Sequence, residues 1–244
     1  MSRPSVILID IETSPNIGYS WGKWEQSIIA FKKEWELLSF AYKELGSKTT
    51  HCYARPDFDD ETDYSLTLAA WDVFENADVL IGHNIDQFDN RKLRAKFVEH
   101  SLPPPKPYKT IDTKKIAKSQ FAFNSNSLND LAATLKLGKK HPTGGFDLWL
   151  DCMAGDPKAW KKMIAYNKHD VVLLEQVYLR LKAWYPNHPN LALLANKPGC
   201  PVCSSARVQR RGYQVLKTRR AGRLHCQECG HWFSRALNDA MCVE

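Results

Sequence analysis

The sequence predicts an α/β domain with a mixed central sheet flanked by helices, followed by a small β domain. Three observations lead there. An uninterrupted apolar run, Val6 to Ile9, opens the chain and suits a strand covered on both faces. Strand-like and helix-like stretches then alternate as far as residue 184. Lastly, two Cys-x-x-Cys pairs, Cys200/Cys203 and Cys226/Cys229, bracket a stretch of β character near the C-terminus. The boundaries expected from this are a first domain over 1–184, a linker over 185–198 carrying Pro186, Pro189 and Pro198, and a second domain over 199–244.

The elements follow from local pattern. After the first strand, residues 14–33 carry aromatic and basic side chains (Tyr19, Trp21, Lys23, Trp24, Phe31, Lys32, Lys33), read as a loop folded over the sheet, with a nucleic-acid-facing loop as the alternative. Leu37 to Leu45 and Lys48 to Ala54 flank Gly46 and make a hairpin. Tyr64 to Asn76 has helical spacing, and Val79 to Gly82 is a short buried strand. A turn then leads into a helix from about residue 88 to 100. The prolines between 103 and 107 break the chain before a strand edge at Thr110 to Asp112. Ser127 opens a helix with a Ser-x-x-Asp capping signature, closed by Gly138. Asp156-Pro157 places an N-cap acid before a proline at the first position of a long helix running to about Trp184.

Composition narrows the class. With 244 residues and 43% hydrophobic content, a sizeable core is available. There is no apolar run of about 18 residues and no signal-peptide h-region, so a cytoplasmic protein (of a cell, or of a host cell if viral) without a membrane partner is expected. The formal net charge is +7, and from Lys197 onward nine Lys/Arg stand against three acids, so most of the excess sits in the tail. Such a concentrated basic patch is an electrostatic footprint for a polyanion.

Carboxylates mark the candidate site. Asp10 and Glu12 alternate with Ile9 and Ile11, so both acids share one face of the first strand. Paired carboxylates at the end of a buried strand repel unless a cation sits between them. Asp89 lies at the start of a helix, where the dipole favours a carboxylate. Asp170 follows Tyr166 by four residues, one helical turn, on a side shared with Met163, Leu173 and Val177. His83 and Asn84 read first as turn-stabilising, with substrate contact as the alternative, and Lys139, Lys140 and His141 form a basic patch read first as a solvated face, with a phosphate contact as the alternative.

Three stretches in this order, DIET from Asp10, HN-x-x-x-FD from His83 to Asp89, and YNKHD from Tyr166 to Asp170, resemble the motifs of the DEDD 3′–5′ exonucleases, which have ribonuclease H-like folds. The tyrosine four residues before the last acid matches the tyrosine subtype; a histidine subtype would need its histidine where Ala165 stands. The resemblance implies two Mg²⁺ or Mn²⁺ ions roughly 3.5–4 Å apart. Asp10, Glu12 and Asp170 would hold one and Asp89 the second, with Asp10 shared and Tyr166 orienting the attacking water, while Asp112, in IDT, resembles a family position that is usually structural. Two rivals stand beside this reading: a structure-selective endonuclease on the same fold, and a non-catalytic nucleic-acid-binding protein.

In the tail, Cys200, Cys203, Cys226 and Cys229 have the spacing of a four-cysteine structural Zn²⁺ site, and the segment resembles a zinc ribbon. Arg207, Arg210, Arg211, Lys217, Arg219, Arg220 and Arg223, with aromatic neighbours, suit nucleic acid, DNA being put ahead of RNA; a protein-docking role for the ribbon is the alternative.

Overall fold

The computed structural model describes residues 4–24, 27–140 and 144–236. Strand β1 (Val6–Thr13) is the spine. Its residues alternate between two cores, because successive side chains on a strand point to opposite faces. Ile7, Ile9 and Ile11 enter one cluster, while Val6 and Leu8 enter another, and Asp10 and Glu12 continue the second face. A short exposed hairpin follows, β2 (Ile17–Tyr19) and β3 (Ala30–Lys33). Strand β4 (Leu37–Glu44) pairs antiparallel with β1, and β5 (His51–Ala54) pairs antiparallel with β4. Helix α1 (Tyr64–Asn76) leads to β6 (Val79–Gly82), which lies parallel to β1. Helix α2 (Asp89–Glu99) leads to β7 (Lys109–Asp112), parallel to β6. The five-stranded order is β5-β4-β1-β6-β7, a mixed sheet.

Helices α3 (Thr113–Gln120), α4 (Leu128–Thr134), α5 (Asp147–Met153) and α6 (Pro157–Leu181) complete this part. α1 and α2 cover the Ile9 face; α3, α4 and α6 cover the Leu8 face. The caps behave as their residues dictate. Ser127 Oγ accepts from the Asp130 amide at 3.1 Å, and the Asp156 carboxylate accepts from the Lys158 amide at 2.9 Å ahead of Pro157. Several elements depart from the sequence reading, which has no counterpart for β2, β3 or α5; two of the departures among the helices have a local cause. Helix α4 stops at Thr134, short of Gly138, because Lys136 takes the left-handed conformation (φ 58°) and Leu137 N–H bonds back to Ala132 O at 2.8 Å. Helix α3 has no counterpart in that reading; its signal was Asp112, which caps it by accepting from Lys114 and Lys115 N–H.

The stretch after α6 is packed. Helix α7 (Leu191–Leu194) buries Leu191 in the Leu8-side core, and Leu191 N–H bonds Pro201 O at 2.7 Å. Beyond it, β8 (Val208–Val215), β9 (Arg220–Cys226) and β10 (Trp232–Arg235) form an antiparallel sheet in the order β10-β9-β8. His231 Nδ1 meets Ala183 O at 2.8 Å, which ties this sheet to the end of α6. Among the described residues, no helix is long and apolar enough to cross a membrane.

Candidate active site: an acid cluster on the central strand

The site forms because α6 crosses the face of β1 that carries Asp10 and Glu12. Met163, Leu173, Leu174 and Val177 are almost fully buried, and this apolar stripe seats the helix on the sheet. The same stripe must then carry Tyr166 and Asp170 inward, since they lie on its line. Carboxylate oxygens of Asp10, Glu12 and Asp170 come within 4.8 Å of one another. Asp89 is not part of that trio but lies next to it: at the first turn of α2 it is 3% exposed and accepts from Ile11 N–H at 3.2 Å, on the residue between the two strand acids.

Electrostatics in this cluster are unfavourable by construction. Burial, then the charges of Glu12, Asp89 and Asp170, hold the Asp10 carboxyl well above the usual carboxylate range. Burial and then Asp170 push Glu12 up to about 8, against a hydrogen bond from Trp149. Burial pushes Asp89 up to about 7 despite its backbone hydrogen bonds. Burial and the Asp170 charge likewise raise the Tyr166 phenol above its ordinary value, so at neutral pH it is an O–H donor. Asp170 is fully buried, and its Oδ1 meets no hydrogen-bond donor among the described residues. An orphaned buried carboxylate oxygen is costly, and three carboxylates that bring oxygens within 4.8 Å of one another form the hard-oxygen donor set that Mg²⁺ and Mn²⁺ take. The residues fit the ions that the resemblance implies.

Lys140 requires a correction. The sequence reading put a solvated face ahead of a phosphate contact, but its ammonium forms an ion pair with Asp170 Oδ2 and a 3.1 Å hydrogen bond with the Tyr166 hydroxyl. Burial lowers its pKa, but the Asp170 carboxylate outweighs that and raises it. The cause is the connection between α4 and α5, which carries residue 140 back over the acid cluster; contiguous charge in a sequence does not reveal such a return. His169 Nε2 contacts Lys139 O at 2.9 Å, so the chain leading to Lys140 is fastened to α6 itself. His141 lies outside the described residues.

Asn167 was missed altogether. It is fully buried, donates to Asp10 Oδ2 at 2.8 Å and Asp10 O at 3.2 Å, and accepts from Ser39 Oγ at 3.1 Å. The amide therefore locks the Asp10 carboxylate by tying it to β4. Its place three residues before Asp170, on the same helical face, was the available signal. His83 and Asn84 are both engaged within the fold. The His83 ring bridges Thr113 Oγ1 and Asn126 O, both at 2.9 Å, and Asn84 takes φ 71° while its N–H bonds Asp112 Oδ1.

The four cysteines of the C-terminal sheet also converge. All four Sγ atoms lie within 4.8 Å, with Cys200–Cys229 and Cys203–Cys226 each at 3.6 Å, and none is in a disulfide. Four sulfurs about 2.3 Å from a central ion in a tetrahedron would be about 3.8 Å apart, so the set fits zinc. The basic residues line the hairpin above it. Arg210 and Arg211 lie on β8, Lys217 and Arg219 at the turn, and Arg220 and Arg223 on β9. Arg207 is engaged with Glu228 at 3.0 Å. The guanidinium of Arg210 lies 4.8 Å from the Tyr213 ring centroid and that of Arg223 5.5 Å from the Trp232 ring.

Fold and site together define a ribonuclease H-like domain with an acidic centre, carrying a small β region in which four cysteines lie close together. The chain belongs to the RNase_H superfamily, whose profile matches residues 33–182. That match contains Asp89, Tyr166 and Asp170 and begins after β1, so Asp10 and Glu12 stand on geometry. Among solved structures the chain is similar to the family B DNA polymerase from the hyperthermophilic archaeon Pyrobaculum calidifontis, with a TM-score of 0.51 and 13% identity. The likeness covers 74% of this chain and 25% of the polymerase, which is a likeness of fold. No curated protein matches the chain.

Proposed function

We propose that the chain is a metal-dependent 3′–5′ exonuclease of the tyrosine DEDD type, acting on single-stranded or structured nucleic acid and assisted by a C-terminal zinc ribbon. The observation that carries this reading is the convergence of Asp10, Glu12 and Asp170 within 4.8 Å around a buried, unpartnered Asp170 oxygen, with Tyr166 one turn away. Divalent ions held by Asp10, Glu12, Asp89 and Asp170 would supply an ionised water and charge neutralisation at the phosphate. The chain's own residues do the rest. Asn167 fixes Asp10, and the neutral Tyr166 hydroxyl is positioned to donate a hydrogen bond to a water or phosphate oxygen beside Asp170. Lys140 supplies a cation on the open side of the cluster, where a phosphate would enter.

The test uses 5′-labelled single-stranded DNA and RNA, each with a free or a blocked 3′ end, in Mn²⁺ or in EDTA, with Asp10→Asn as control. The expected result is a metal-dependent ladder that the 3′ block stops and that Asp10→Asn lacks. Internal cuts despite the block would replace the exonuclease with an endonuclease, and uncut but shifted bands would leave only a binding protein.

A further inference from the structure

The exposed hairpin β2–β3 is where hydrophobic surface is most out of place. Among the described residues, seven of the twenty exposed large hydrophobic side chains fall between Ile17 and Phe31. Trp21 is 88% exposed and Trp24 86%, with Tyr19 and Phe31 about half exposed. Single exposed aromatics are ordinary; a cluster of them on one projecting hairpin marks a contact surface. The expectation that this segment folds over the sheet is therefore corrected: its strands are exposed along their whole length. A two-stranded ribbon has too little core to hold itself in water, and here the close approach of Ile28 over Gly18, where a Cβ would lie 2.4 Å from Ile28 Cγ2, zips it.

The root of the hairpin says what it faces. Ser14 N–H bonds Glu36 O at 2.9 Å and Asn16 Oδ1 accepts from Trp35 N–H at 2.8 Å, so both ends of the finger are fastened immediately beyond Thr13 of β1. The Trp35 ring in turn receives the ammonium groups of Lys92 at 3.8 Å and Lys96 at 4.8 Å, both on α2. The finger thus springs from the end of β1, which carries Asp10 and Glu12, and its root lies against α2, which carries Asp89. Between Ile17 and Lys33 its charges are three lysines, Lys23, Lys32 and Lys33, and one glutamate, Glu25. Lys23 lies 5.1 Å from the Trp24 ring, and Lys33 also pairs with Glu36. Flat, water-exposed indoles with ammonium groups beside them match unpaired bases and phosphates better than they match an apolar protein face.

We infer that the β2–β3 hairpin is a stacking arm that holds the unpaired end of a nucleic-acid strand beside the acid cluster, with Trp21 and Trp24 as its base platforms. This rests on the nuclease reading of the acid cluster and names the surface that feeds it. Stacking is tolerant of base and sugar, so the arm takes single-stranded DNA or RNA and discriminates against duplex, whose bases are already stacked.

The test is fluorescence anisotropy of a labelled oligothymidylate with the full chain in EDTA, where no hydrolysis occurs, comparing wild type with Trp21→Ala/Trp24→Ala and Trp21→Phe/Trp24→Phe. The alanine pair should bind about tenfold more weakly or worse, with an unchanged salt slope because the phosphate contacts remain. The phenylalanine pair should recover much of the loss. Wild type should bind an abasic strand of the same length as weakly as the alanine pair binds oligothymidylate. Both indoles are exposed, so thermal melts should coincide. Equal affinity of the alanine pair and wild type for oligothymidylate would overturn the arm, as would unchanged nucleic-acid affinity with loss of self-association in sedimentation, which would make the hairpin a contact between copies. If wild type cuts single strands while the alanine pair binds and cuts as well, the arm falls and the nuclease stands. If wild type neither binds nor cuts, both fall.

Discussion

Replacing Lys140 with Met tests how the acid cluster is neutralised. In metal-free protein, Lys140 is the cation paired with Asp170, whose side chain is fully buried while that of Lys140 is 30% exposed. Removing the ammonium leaves Asp170 Oδ2 without its partner, next to an Oδ1 that already has none, and takes the 3.1 Å partner from Tyr166. Breaking a buried ion pair from one side costs about 3–5 kcal/mol, and the partial exposure of Lys140 screens this case to below that range, about 2–3 kcal/mol. At about 2–4 °C per kcal/mol for a chain of this size, Tm in EDTA should fall by about 5–10 °C. With Mn²⁺ in excess, the ion takes over the neutralisation and the gap should close to about 2 °C or less. Differential scanning fluorimetry in EDTA and in Mn²⁺ reads both numbers. An equal loss with and without metal would make Lys140 a packing residue and refute the reasoning, as would no loss in EDTA.

Two further perturbations check the two proposed metal sites. Glu12 at about 8 and Asp89 at about 7 lie above their unfolded values, so the folded, metal-free chain binds more protons than the unfolded one. Its Tm should therefore fall as pH rises from about 4.5 through about 8, whereas Mn²⁺, which needs the carboxylates ionised, should stabilise more at higher pH and release about one proton or more on binding near pH 7. Calorimetry in buffers of different ionisation enthalpy measures that release, and Mn²⁺ affinity that is flat between about pH 6 and pH 8 would contradict it. Cys226→Ser removes one sulfur from the cluster of four and should abolish stoichiometric zinc, loosen the β8–β9–β10 sheet and lower the salt slope of nucleic-acid binding, since β9 carries Arg220 and Arg223; retention of one zinc per chain by elemental analysis would remove the cysteines from that role.

What the sequence determined by itself is what depends on short range. The alternation in Val6–Thr13 decided that Asp10 and Glu12 share a face, because the pleat has a period of two. The four-residue step from Tyr166 to Asp170 decided that phenol and carboxylate share a helical face, and Asp156-Pro157 decided where that helix begins. Each Cys-x-x-Cys pair, being a single turn, decided for the same reason that its own two sulfurs point together, whereas the meeting of the two pairs is tertiary.

The tertiary structure alone decided everything that requires two distant segments to meet. Lys140 reads as one more surface lysine until the α4–α5 connection lays it against Asp170, thirty positions away. Asn167 reads as a helix residue until β4 offers Ser39 and β1 offers Asp10. The aromatic stretch after Thr13 is compatible with a core-covering loop until its exposure shows that no core receives it. Periodicity reports which way a side chain points within its own element, whereas its partner is set by how elements pack, and packing is a property of the whole chain.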